Sequence, residues 1–115
     1  MKIIIFSESD YNFVAKLTKI CDTHTDELVF FENFNSLNKV KEQGLVVIDF
    51  NDYKNKLNSM FDNISKYKNI TYCVLVDKME SKIQKKLTNI GFDITMTKHL
   101  FLLNYKTIKV QASSN

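Results

Sequence analysis

Three observations in this sequence predict a small doubly wound α/β domain, a parallel sheet of five strands with helices on both faces. Short apolar, β-branched runs alternate five times with segments of helical period,. Those runs carry no polar alternation, as strands buried on both sides require. The 115 residues suit one compact domain and leave no room for a second, so five alternations demand short crossover connections,.

Residues 2–6 (KIIIF) form the first strand, which stops at polar Ser7, Glu8 and Ser9,. Asp10 is placed to cap a helix in which Phe13, Val14, Leu17, Ile20 and Cys21 make one stripe,. Residues 28–31 (LVFF) read as the second strand. Asn35 or Ser36 then opens a short helix with Leu37 and Val40 inward, ended by Gly44 as its C-terminal cap,. The most apolar strand is 45–48 (LVVI), with Asp49 at its carboxyl end. Asp52 starts a helical pattern that carries Leu57, Phe61, Ile64 and Tyr67 on one face,.

The fourth strand, 73–76 (CVLV), ends at Asp77. Met79, Ile83, Leu87 and Ile90 line the following helix, which Gly91 stops,. Ile94 and Met96 suggest a short fifth strand. Leu100, Phe101, Leu103 and Ile108 fit a last helix, but residues 107–110 (TIKV) alternate and are β-branched, so a frayed helix or an extra strand competes with it,. Residues 112–115 look like a tail or the start of a linker, leaving 2–111 as the domain. There is no internal repeat.

Composition narrows the function classes. No apolar run reaches the roughly 18 residues of a membrane span, and the opening MKIIIF lacks a secretory signal's long apolar stretch, so a cytosolic protein is expected,. Cys21 and Cys73 have no second Cys or His at metal-ligand spacing and read as buried thiols,. The net charge is +3, yet every basic residue is lysine, and the commonest bidentate contact to guanine is made by arginine; direct DNA recognition is not expected,. His24 and His99 are isolated and read as surface or loop residues, while Phe30, Phe31 and Phe34 read as core.

In open parallel sheets, ligands bind beyond the carboxyl ends of the strands. Those ends carry Glu8, Asp49, Asp77 and Lys98, which makes an acidic pocket of Glu8, Asp49 and Asp77 with one ammonium. With all three carboxylates ionised the pocket has a formal charge of −2. Lys98 pairing with Asp49 and Asp77 is expected to offset part of it, and a divalent cation or a protonated carboxylate the rest.

Here the chain resembles the receiver domain of two-component response regulators, over about residues 2–111. LVVID ending in Asp49 is similar to the family's strand with the phosphoacceptor aspartate, and GFDITMTKHLF (91–101) resembles its G-A-D-D-Y-L-T-K-P-F segment, which puts Lys98 on the family's lysine. The resemblance implies a flavodoxin-like (βα)5 fold with an irregular last helix. It also implies phosphotransfer from a histidine kinase to Asp49, with Mg²⁺ held weakly by Glu8 and Asp49 and Lys98 contacting the phosphoryl group.

Four positions depart from that pattern. The acidic pair after the first strand is reduced to Ser7-Glu8, which shifts a ligand that octahedral Mg²⁺ needs in place. Asp77 stands where the family has Ser or Thr. At about 5 Å and an effective dielectric of about 20, each like charge costs on the order of 3 kcal/mol, so Asp77 repels a phosphoryl group. Phe50-Asn51-Asp52 replaces a Met-Pro-Gly turn, and Thr95 replaces the aromatic that reports the switch state.

The expected function is therefore an atypical, non-enzymatic signalling domain that works through protein contacts with impaired or absent phosphorylation at Asp49, or the regulatory domain of a transcription regulator. A phosphorylatable receiver is the alternative, and an unrelated flavodoxin-like binding module stands behind both because glycine-rich phosphate loops are absent. Expected partners are a protein or a cognate output domain. The resemblance implies signalling through the face of the fourth helix, fifth strand and fifth helix, where a homodimer is a further expected partner. Here that face carries Lys82, Lys85, Lys86, Lys106 and Lys109 against mainly Glu80 and Asp93, and one sign of charge favours an acidic partner or a different dimer surface,.

Overall fold

The computed structural model describes residues 1–64 and 67–114, with 61–64 as backbone alone. Five strands, β1 (Lys2–Phe6), β2 (Glu27–Phe30), β3 (Gly44–Asp49), β4 (Ile70–Val76) and β5 (Ile94–Thr97), form one all-parallel sheet in the order β2-β1-β3-β4-β5. This is the flavodoxin-like order, with the strand direction of progression reversing between β1 and β3.

The apolar strands feed two cores because side chains alternate across the pleat. Ile3, Ile5, Leu45, Val47, Cys73 and Leu75 face α1 (Tyr11–Thr23), α5 (Lys98–Leu103) and α6 (Tyr105–Ser113). Ile4, Phe6, Val46, Ile48, Tyr72 and Val74 face a 3₁₀ helix (Phe34–Lys39), α2 (Phe50–Tyr53), α3 (Leu57–Ile64) and α4 (Ser81–Ile90). Asp10 caps α1 as expected, its Oδ1 accepting from the Phe13 amide at 3.1 Å,. Leu17 of α1 is fully buried; such a side chain contributes about 2 kcal/mol. Both cysteines are buried. No helix among the described residues is long and apolar enough to cross a membrane.

Several elements differ from the sequence expectation. The helix expected from Asp52 onward is two helices. The Asp49 carboxylate caps α2 immediately after the strand, and a turn follows, closed by the Lys56 amide on Tyr53 O at 2.8 Å. Tyr53, Leu57 and Met60 keep helical spacing across that turn, so the period did not reveal it. The expected inward faces of Phe61 and Ile64 lie outside the described side chains.

Gly44 is not a helix cap. It opens β3, where a Cβ would come within 3.3 Å of the Ile4 side chain. Gly91 does take the capping role at φ 114°, a conformation that suits only glycine readily,. Phe30 is 57% exposed, on the edge strand where only one neighbour covers it, rather than in the core.

The C-terminal segment is helical but broken at Asn104, whose amide and side-chain Nδ2 both donate to Leu100 O,. Tyr105, Ile108 and Ala112 are buried at spacings of three and four, and this packing overrides the β-branched propensity of 107–110,. Ala112 belongs to this helix, not to a tail; Asn115 lies outside the described residues.

Candidate functional site

The site lies at the carboxyl edge of the sheet. Asp49, the last residue of β3, is 1% exposed at its side chain, while Lys98 follows β5 directly and opens α5. The Lys98 ammonium donates to three carboxylates: Asp10 Oδ2 at 2.9 Å, Asp49 Oδ2 at 2.9 Å and Asp77 Oδ1 at 3.0 Å. It also stands 5.9 Å from the centre of the Phe13 ring, whose face favours a cation,. Burial pulls the ammonium toward its neutral form, but the bonds from Asp49, Asp10 and Asp77 outweigh it and hold Lys98 above the usual lysine range,.

Each carboxylate has a second tie. Asp49 Oδ1 accepts from the Asn51 amide at 3.0 Å, and the Ser7 hydroxyl approaches its Oδ2 at 3.4 Å. Asn51 Nδ2 donates to Asp77 Oδ2, which links the β3 and β4 ends, though Asp77 itself is 61% exposed. The Lys98 bond, followed by the Phe13 amide, holds the Asp10 carboxyl below its ordinary range.

Of the residues picked out from sequence, Asp49, Asp77 and Lys98 therefore converge. Glu8 does not join them at Lys98. Its carboxylate accepts from the Tyr53 hydroxyl at 3.3 Å, and burial together with Glu8 pushes that phenol up to about 12. The loop holding Glu8 is tied down by Asp52, which accepts from the Glu8 amide at 2.8 Å, the Ser9 amide at 3.2 Å and the Ser9 hydroxyl at 2.6 Å. Burial raises the Asp52 carboxyl, yet these donors prevail and leave it below its ordinary value.

Asp10 and Asp52 were missed as site residues because each reads as a helix start. The signal available for Asp10 was that a carboxylate cap uses one oxygen and keeps a second, at the same sheet edge as Asp49. With Asp10 in place of Glu8, three carboxylates against one ammonium still leave a formal −2. Beside the cluster a cavity of about 300 Å³ opens between Asp10, Asp77 and Lys98 on one side and Lys16, His99 and Leu102 on the other.

These residues do not fit Mg²⁺ as arranged. Glu8 is turned to Tyr53, and the Asp49 oxygens are engaged by an ammonium and an amide, so the two expected ligands do not converge on an open position,. Among the described residues no group of three or more His, Cys, Asp or Glu side chains is arranged to hold a metal ion.

A second charged cluster, not anticipated from sequence, occupies the opposite edge. Asp26, just before β2, accepts from the Met1 ammonium at 3.0 Å, the Tyr105 hydroxyl at 2.7 Å and the Lys109 ammonium at 3.0 Å. Burial raises its carboxyl, and the three donors together hold it below the ordinary value. The preceding Thr25 takes φ 55°, an uncommon conformation for a β-branched residue,. No family model, curated protein or solved structure matches this chain, so its chemistry is argued from these residues.

Proposed function

We propose that this chain is an atypical receiver-like domain that signals through protein contacts and does not depend on phosphorylation of Asp49. One observation carries it: the single ammonium at the site is shared by three carboxylates, one of them Asp77. In a phosphotransfer site the ammonium offsets charge on the incoming oxygens. Here Lys98 is already saturated, Asp49 Oδ2 is its partner, and Asp77 adds a like charge that disfavours a phosphoryl group,. The cluster holds the ends of β3 and β4 and the starts of α1 and α5 in one arrangement, which suits a domain fixed in a single state. The domain is proposed to act in the cytosol, alone or ahead of an output domain.

A working phosphoacceptor is the alternative, favoured by the exposure of Asp77, whose side chain is 61% accessible, so that solvent screens its charge,. Incubation with acetyl phosphate or beryllofluoride and Mg²⁺, followed by intact mass and amide shifts, separates the two. We expect no adduct and no shifts at residues 10, 49, 77 and 98. Modification of most of the protein at Asp49 overturns the phosphorylation-independent proposal.

A further inference from the structure

We infer that the groove between α1 and α5 is a docking site for an acidic amphipathic helix of a partner protein. The inference rests on the proposal that the domain works by protein contact, and it names a surface other than the fourth-helix face expected from sequence. The groove encloses about 350 Å³ and is floored by Ile20, Leu102 and Leu103, with Lys16, Lys19 and His99 around it. Leu103 is 68% exposed, and Leu100, one turn back on the same short helix, is 46% exposed. An exposed leucine at the edge of an apolar groove, here Leu103, suits helix-in-groove recognition, in which a partner presents apolar residues at i, i+3, i+4 and i+7,.

Charge decides the occupant. From Ile94 to the end the chain has no acidic residue, so α5 and α6 supply only lysines and His99 to this face. On α1 the one acidic residue is Asp22, about 120° around the helix from Lys16 and three positions after Lys19, and it does not line the groove,. Asp10 and Asp77, at the groove's upper end, are both engaged with Lys98. Lys109 is engaged with Asp26. Among the described residues the groove's lining holds Lys16, Lys19 and His99 and no carboxylate, and carboxylates flanking an apolar stripe complement them. A second copy fits worse, because a two-fold contact would bring Lys16 and Lys19 of both copies together.

The groove also meets the site: Lys16, His99 and Leu102 line both it and the cavity beside Lys98.

The test is a displayed library of helices of about 14 residues, a length close to that of α1,. Leucines are fixed at i, i+3, i+4 and i+7, every other position draws from Asp, Glu, Lys, Arg, Ser and Ala, and the library is panned on the full chain. We expect enrichment of net-acidic helices whose binding weakens with added salt. Leu103→Glu and the double change Lys16→Glu with Lys19→Glu should each weaken it by about tenfold, while Lys86→Glu on α4 should leave it unchanged. Both groove variants alter exposed side chains, and circular dichroism checks that they fold. Failure to enrich, enrichment of basic helices, or binding indifferent to the groove variants overturns the proposal. So does a dimer of the free chain, seen in sedimentation, that Leu103→Glu dissolves. Phosphorylation of Asp49 in the preceding experiment would sink the phosphorylation-independent function and leave the groove standing, whereas an empty panning does the reverse.

Discussion

The two edges of the sheet carry charge clusters of opposite design. At the amino-terminal edge one carboxylate, Asp26, is held by two cations and a phenol, and its side chain is 2% exposed. At the carboxyl edge one cation, Lys98, is held by three carboxylates, of which Asp77 is largely exposed. The first cluster is closed and ties together the chain start, β2 and α6, as a structural clamp does. The second is open, over-supplied with negative charge and beside a cavity. A buried cluster costs much stability when one partner is removed, whereas an exposed pair contributes little.

The largest expected effect comes from breaking the closed end. Asp26→Ala leaves two cations and a buried phenol without their acceptor and should cost about 4 kcal/mol in urea unfolding. A pH dependence accompanies it. The folded Asp26 carboxyl lies below its ordinary value, so its contribution is complete above about pH 4 and is lost as pH falls through the folded value,. Wild type should therefore lose stability steeply in that acid range, and the variant less so.

Breaking the open end should cost less. Lys98→Met removes the ammonium from buried Asp49, but water and salt reach the rim, and we expect a loss of about 2 kcal/mol at pH 7,. That loss should shrink as pH is lowered toward the carboxylate range, where protonation relieves the repulsion. In wild type the folded Lys98 value is raised, so its contribution holds below about pH 10 and is lost only as pH rises further,. Equal losses for Asp26→Ala and Lys98→Met would erase the distinction between the two edges.

The smallest effect is expected at Asp77→Ser. An exposed ion pair contributes about 0.5 kcal/mol, so unfolding should barely change,. A loss several times larger would mean that the rim is as structural as the other end.

Much of the architecture was legible because a sheet covered on both faces demands uninterrupted apolar strands, and KIIIF, LVVI and CVLV have no other economical use. Less visible were features that a period cannot encode. Tyr53, Leu57 and Met60 keep the same spacing whether or not a turn separates α2 from α3. Phe30 is apolar but lies on the edge strand, and edge position follows from strand order rather than from local pattern.

At the site, Asp49, Asp77 and Lys98 were identifiable since strand ends share one edge in a parallel sheet. The direction of a flexible side chain is not written in its position. Glu8, also at a strand end, bonds Tyr53, while Asp10, four residues past the strand, reaches Lys98 with the oxygen its cap leaves over.

That spare oxygen makes Asp10 a mechanical linkage. One arm of the carboxylate holds the first turn of α1 through the Phe13 amide, and the other holds the ammonium at the rim. Because α1 is also a wall of the lysine-edged groove, this one carboxylate ties that wall to the bond network around Asp49.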